Sequence, residues 1–235
     1  VTFDGVNDYV STANINYGPG NVISAAVWIK FATCTGDSGY CYIITKGQYF
    51  GTSPYDIAVD SPGKVYACVG GCVSPTSGIV SSSAYNDNSW HFTVLTYDGA
   101  TAILYIDGVN VGSKAFSTST NSDLLGIGGS SASATFRPFT GSIDEVRIYG
   151  RTLSSSEITN LYQLGATKLK KKLPSGLVGY WSFDPRDISG TTVFDRGGSN
   201  NGTMNNGVAS VAGMSGSRQA LSFDGVDDYV AGPAT

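Results

Sequence analysis

The chain has 235 residues, 41% of them hydrophobic and 14% charged, with a formal net charge of −4. This is enough apolar material for a full core, which excludes a disordered chain. Lys and Arg are scattered apart from one short run, and no stretch approaches the roughly 18 consecutive apolar residues of a membrane span, so neither nucleic acid nor a bilayer interior is an expected partner.

The 31 glycines, set among many Ser, Thr, Asn and Asp, describe short strands joined by turns, and the predicted class is all-β. The first residues, VTFDGVNDYV, carry no signal-peptide pattern, so any targeting segment is expected outside this chain. Period-two alternation then recurs in AAVWIKFA from Ala25, YDIAVD from Tyr55 and KVYACV from Lys64. Cys34, Cys41, Cys68 and Cys72 fall within this stretch. Three pairings exist on paper, and a zinc site competes with them. The spacing favours local disulfides, Cys34–Cys41 and Cys68–Cys72, and with them an oxidising, extracellular or cell-surface location. HFTVLTYD from His91 and AILYIDG from Ala102 make the strongest hairpin, because Asp98-Gly99 and Asp107-Gly108 supply the positive φ that tight turns require. SIDEVRIY from Ser142 is the last strand of this series, with Asp144 and Glu145 expected on opposite faces.

One helix is predicted near 154–164. Ser154 and Glu157 form a capping box, Ile158, Leu161 and Tyr162 form an apolar face, and Gly165 is placed to end it. Residues 165–176, with Lys168, Lys170, Lys171 and Lys172, read as a solvated linker. Residues 221–230, LSFDGVDDYV, repeat residues 1–10 at an offset of 220.

In GLVGYWSFD from Gly176, FDGVNDYV from Phe3, AVWIK from Ala26, WHFTVLTYDG from Trp90, LYIDGVNVG from Leu104 and IDEVRIYGRTLS from Ile143, the chain resembles laminin-G-like domains of the concanavalin A-like superfamily. The resemblance covers nearly the whole sequence, with the opening segment placed last. It implies a two-sheet antiparallel jelly-roll sandwich. It also implies a structural Ca²⁺ near the rim, with Asp4, Asn7, Asp8 and Asp144 as ligands in the first copy and Asp224, Asp227 and Asp228 in the second. Ca²⁺ takes six to eight oxygens, which such turns offer; the same residues also shape turns by Asx hydrogen bonds.

For catalysis the residues offer little. No pair of strand carboxylates has glycosidase spacing, His91 has no nucleophile beside it, and no nucleotide-binding loop is present. The expected protein is not an enzyme. A glycan platform is the alternative, with Tyr49, Tyr55 and Trp90 as its candidates and Tyr40, Tyr42 and Phe50 as further rings near it. Residues 1–164 form a sandwich lacking its opening strand, and 177–235 form the opening segment of the next copy. The expected role is therefore a structural or adhesive extracellular module whose partners are copies of itself, joined head-to-tail as 177–235 completes a neighbouring sandwich.

Overall fold

The computed structural model describes the chain except for residues 1, 7–8, 13, 19, 37–38, 48–52, 73–76, 131–136, 167–174, 206–208, 213–218, 223–228 and 232–235; the side chains of 178, 204–205, 209–212, 219–222 and 229–231 are also left aside. Two sheets pack face to face. Sheet A contains β1 (Thr2–Asp4), β3 (Ile23–Lys30), β8 (His91–Tyr97), β9 (Thr101–Ile106), β10 (Val109–Ala115) and β12 (Thr140–Tyr149), joined by β13 (Leu177–Trp181), β17 (Ala209–Ala212) and β18 (Gln219–Ser222). Sheet B runs β14 (Ile188–Ser189), β15 (Thr192–Val193), β16 (Gly202–Asn205), β19 (Tyr229–Ala231), β2 (Tyr9–Ser11), β11 (Leu125–Ile127), β4 (Tyr40–Lys46), β5 (Tyr55–Asp60), β6 (Lys64–Val69) and β7 (Ile79–Ala84). The pairings are antiparallel except β1 with β18 and β2 with β19, which are parallel.

Between the sheets lies the main core, including Phe3, Val27, Ile29, Ile57, Val59, Leu95, Leu104, Ile143, Ile148 and Trp181. The expected alternation of buried and exposed positions is replaced in β3, β5, β8 and most of β12 by near-continuous burial. The cause on sheet A is the helix α1 (Ser155–Ala166), whose Ile158 and Leu161 cover Ala26, Trp28, Phe92, Val94 and Tyr149 on the outer face. The capping box forms as the sequence predicts: Ser154 N donates to Glu157 Oε2 at 2.9 Å and Glu157 N to Ser154 Oγ at 3.3 Å. Gly165 has a different role from the predicted terminator. The helix continues to Ala166, and a Cβ at 165 would sit 2.4 Å from the Trp28 indole, so the missing side chain permits close packing.

Both predicted disulfides are present, Cys34–Cys41 and Cys68–Cys72, and no described cysteine is free. The hairpin turns also form, with positive φ at Gly99, Asp107 and Gly108. Asp144 and Glu145 depart from strict alternation because β12 bulges between Asp144 and Arg147, with Glu145 at φ 53°.

The segment expected to complete a neighbouring sandwich lies on its own chain. β13 pairs with β12, Val146 opposite Trp181 and Arg147 opposite Tyr180. This places Tyr180 over Arg147 (4.4 Å from guanidinium carbon to ring centroid), and the Tyr180 hydroxyl donates to Glu145 Oε2 at 2.7 Å. Arg147 Nη2 also donates to Glu145 Oε2. β13 therefore closes a buried charge network. Of the predicted linker, 167–174 falls outside the described residues.

Candidate functional site

The helix α1 covers sheet A, and chemistry-bearing side chains gather on the outer face of sheet B. In β5 the sequence Tyr55-Asp-Ile-Ala-Val-Asp60 sends Tyr55, Ile57 and Val59 into the core. Period two then places Asp56, Ala58 and Asp60 on the opposite face. Register aligns Tyr42 with Ala58 and Ala58 with Tyr66, while Thr45 and Cys68 flank Asp56. Tyr42, Ala58 and Tyr66 pack as a cluster with the partly buried Tyr40 and Val80 at its margin.

Arg137 reaches this face from the segment between β11 and β12. Its guanidinium lies 5.5 Å from the Tyr40 ring centroid and 5.8 Å from that of Tyr42, and its carbonyl accepts a hydrogen bond from Tyr42 N at 2.9 Å. The positive φ of Arg137, 55°, turns the chain at this point. The Tyr40 and Tyr66 rings meet edge to face with centroids 5.7 Å apart. Tyr66 OH donates to Asp60 Oδ2 at 2.6 Å, and Lys64 N donates to Asp60 Oδ1 at 2.6 Å, so Asp60 is held by both oxygens. Asp56 is buried, and its Oδ2 has no hydrogen-bond partner among the described residues. Burial pushes its carboxyl up to about 7, against the opposing pull of Arg137. The floor, Tyr42, Asp56, Ala58 and Tyr66, is buried; the rim, Tyr40, Lys64, Val80 and Arg137, is half-exposed. At the half-exposed rim, the Tyr40 ring and the Arg137 guanidinium can stack a polar ring and bond its hydroxyls.

Of the residues expected to stack glycans, Tyr55 lies elsewhere. It is fully buried between the sheets, and its hydroxyl donates to Ile15 O at 2.7 Å, because the phase of β5 turns it inward. Trp90 is partly buried against the cluster beneath α1, on the other sheet. Tyr49 and Phe50 fall outside the described residues. Tyr40 and Tyr42 are on the face. Asp56, Asp60 and Tyr66 were legible in principle from the alternation of YDIAVD and KVYACV, whereas Arg137 had no local signal.

Of the expected Ca²⁺ ligands, Asp4 and Asp144 lie among the described residues. Asp4 registers with Thr140 and Asp144 with Trp28, four residues apart on β12 or roughly 13 Å along a strand, so these two do not share one ion. Asp4 Oδ1 accepts Val6 N at 2.8 Å, and Asp144 Oδ1 accepts Glu145 N at 2.9 Å. Asn7, Asp8, Asp224, Asp227 and Asp228 fall outside the described residues. Among the described residues no group of three or more His, Cys, Asp and Glu is placed to hold a metal. His91 bridges two turns, with Nδ1 2.8 Å from Asp107 Oδ2 and Nε2 3.2 Å from Asp87 Oδ1. Among the described residues no helix is long and apolar enough to cross a membrane.

A solved structure shares this architecture. A candidate carbohydrate-binding protein from Bacteroides ovatus ATCC 8483 superposes with a TM-score of 0.63 at 18% identity, over 87% of this chain and 57% of that one. This chain thus spans a little over half of that relative. The SAP-like pentraxin of Limulus polyphemus aligns with a TM-score of 0.47 at 12% identity, covering 68% of this chain and 80% of that one. The CBM40 of the Ruminococcus gnavus IT-sialidase, bound to α2,3-sialyllactose, gives 0.48 at 14% identity, covering 66% of this chain and 97% of that one. A search of curated proteins finds no match. The model of the concanavalin A-like lectin/glucanase superfamily, in its laminin-G form, matches residues 4–159, and the two-sheet sandwich agrees with it: the chain belongs to that family.

Proposed function

We propose that this chain is a non-catalytic carbohydrate-binding module of a secreted or cell-surface protein, and that the outer face of sheet B is its glycan site. The observation that carries this reading is the grouping of Tyr40, Tyr42 and Tyr66 with Arg137, Asp56 and Asp60 on one sheet face. Tyrosine rings offer the apolar face of a sugar a flat surface, and charged groups bond its hydroxyls. Asp56 and Asp60 are four residues apart, roughly 13 Å between Cα atoms along β5 and beyond the roughly 5–9.5 Å separation of glycosidase carboxyl pairs. Asp60 is moreover engaged by Tyr66 and the Lys64 amide. Two disulfides support an oxidising compartment.

The test is a glycan array followed by calorimetry on the hits, with and without Ca²⁺. One sugar class is expected to bind saturably, and Tyr40→Ala or Arg137→Ala to weaken it at least about tenfold, the loss of one good stacking or charge-assisted contact. No saturable sugar, or binding indifferent to both substitutions, overturns the reading. A structural or adhesive repeat assembled from copies of itself is the second reading, favoured by the decapeptide that recurs at an offset of 220. Concentration-dependent growth in light scattering supports it, and a monomer at all concentrations rejects it.

A further inference from the structure

Lys46 ends β4 and is the one lysine among the described residues that is buried, at 0% exposure. Strand register explains how it is held. Lys46 pairs with Leu125 and Thr45 with Gly126, so the side chain lies beside the segment that leads into β11. There Nζ donates to Asn121 Oδ1 at 3.0 Å, to Asn121 O at 3.5 Å and to Asp123 O. All three acceptors are uncharged amide oxygens, which repay the cost of burying an ammonium less well than a carboxylate contact does. Burial, opposed by the Asp123 carboxylate, lowers its pKa to about 8. About a tenth of the amine is then neutral and nucleophilic at pH 7.

Asn121 is fixed at both ends of its carboxamide. Nδ2 donates to Lys46 O at 3.3 Å, and Oδ1 also accepts the Asp123 N–H at 3.1 Å. The carboxamide carbon is one bond from Oδ1. An amine, an electrophilic carbon and a main-chain donor on the oxygen where negative charge develops therefore meet in one place. Asp123 adds a carboxylate on the side of the leaving nitrogen: a Cβ built on Gly47 would lie 2.8 Å from Asn121 Nδ2 and 3.2 Å from Asp123 Oδ2, so both atoms border the same point.

We propose that Lys46 and Asn121 become joined by an isopeptide bond, with Asp123 carrying the proton. The lone pair of neutral Nζ attacks Asn121 Cγ, and the electrons of the C=O bond move onto Oδ1, facing the Asp123 N–H. The Asp123 carboxylate takes one proton from Nζ and passes it to Nδ2. The C=O bond then re-forms as the Cγ–Nδ2 bond breaks, and ammonia leaves with that electron pair. A primary amine and a carboxamide become a secondary amide and ammonia, with no oxidation or reduction and no co-reactant. The product is neutral, so the reaction removes a buried charge. It ties β4 to the segment before β11 through residues 75 positions apart in the chain, on strands already in register, and a link of that span restricts the unfolded state.

Mass spectrometry of the full chain, denatured and reduced, tests the proposal. The expected mass is one ammonia below that of the sequence with four thiols. Digestion is expected to give a branched peptide joining the segments that contain Lys46 and Asn121, and the branch survives reduction that opens Cys34–Cys41 and Cys68–Cys72. Lys46→Arg and Asn121→Ala are each expected to restore the full mass expected of their sequences, and Asn121→Ala to lower Tm. Asp123→Asn is expected to be isolated largely unlinked and to lose ammonia slowly on incubation. A parent chain of full sequence mass, an ammonia loss that maps to a cyclised asparagine in place of a branch, or a branch that persists in Asn121→Ala overturns the proposal. An Asp123→Asn chain as completely linked as the parent overturns the part given to Asp123.

Discussion

Two titratable residues, the half-buried His91 and the buried Asp56, make stability depend on pH in one direction. Asp107 and Asp87 raise the pKa of His91, the Asp107 hydrogen bond being the largest cause, and burial raises that of Asp56 to about 7. For His91, whose folded value lies above 6.5, the stabilisation is complete below the unfolded value and is lost as pH rises through the folded one. For Asp56, the folded chain holds its proton more tightly than the unfolded chain, so stability also falls as pH climbs from about 4 to 7. Tm is therefore expected to decline between pH 5 and 8. Asp56→Asn should remove the part of the slope below 7 and His91→Gln the part above 6.5, read by calorimetry across that range; a flat profile in the parent chain contradicts both assignments. These environments are set by neighbours far apart in sequence, such as Asp107 beside His91, and composition does not reveal them.

At the scale of elements, α1 shows how a local signal and a tertiary contact divide the work. The capping box and the Ile158, Leu161 face are readable from residue order alone. The ion pair that holds the box is not: Arg151 donates to both oxygens of Glu157, at 2.9 and 2.6 Å, and with the Ser154 bonds pulls its carboxyl down to about 2. The folded value is depressed, so this contribution is present above the usual carboxylate range and disappears as pH falls towards 2. Both side chains are close to one third exposed, and screening limits the effect. Glu157→Gln is expected to cost about 1 kcal/mol at pH 7, the ordinary range for a lost cap, and almost nothing near pH 2. Denaturant midpoints at the two pH values check this. Equal costs at both would assign the role of Glu157 to packing.

Across the whole molecule, the C-terminal segment is structural. Trp181, Phe183 and Val193 are buried in the main core, and burying such side chains contributes about 1.5–3 kcal/mol each. Together with the Glu145–Arg147–Tyr180 network, their removal approaches the roughly 5–15 kcal/mol that holds a domain together. A chain ending at Gly176 is thus expected to lack a cooperative thermal transition by circular dichroism. A truncated chain melting like the full one would show that β13 adds little to the sandwich. Ca²⁺ dependence belongs at this scale too. Because Asp144 is used by the β12 bulge and is distant from Asp4, Asp144→Ala is expected to leave any chelator-induced change in Tm unaltered.

Residue order alone determined the all-β class, the two local disulfides, the tight turns at Asp98-Gly99 and Asp107-Gly108, and the capped helix. Each depends on residues close in sequence, where turn geometry, loop closure and side-chain period act without a third partner. Tertiary structure alone decided which tyrosines lie on the outer face of sheet B and which in the main core, since the same alternation that puts Asp56 on that face puts Tyr55 between the sheets. It also brought Arg137 over Tyr40 and Tyr42, a pairing across almost a hundred residues for which no local pattern exists. Likewise it paired Thr2 with Ser222 and Tyr9–Val10 with Tyr229–Val230 in parallel, because which strands become neighbours is set by which edges the rest of the sheet leaves free.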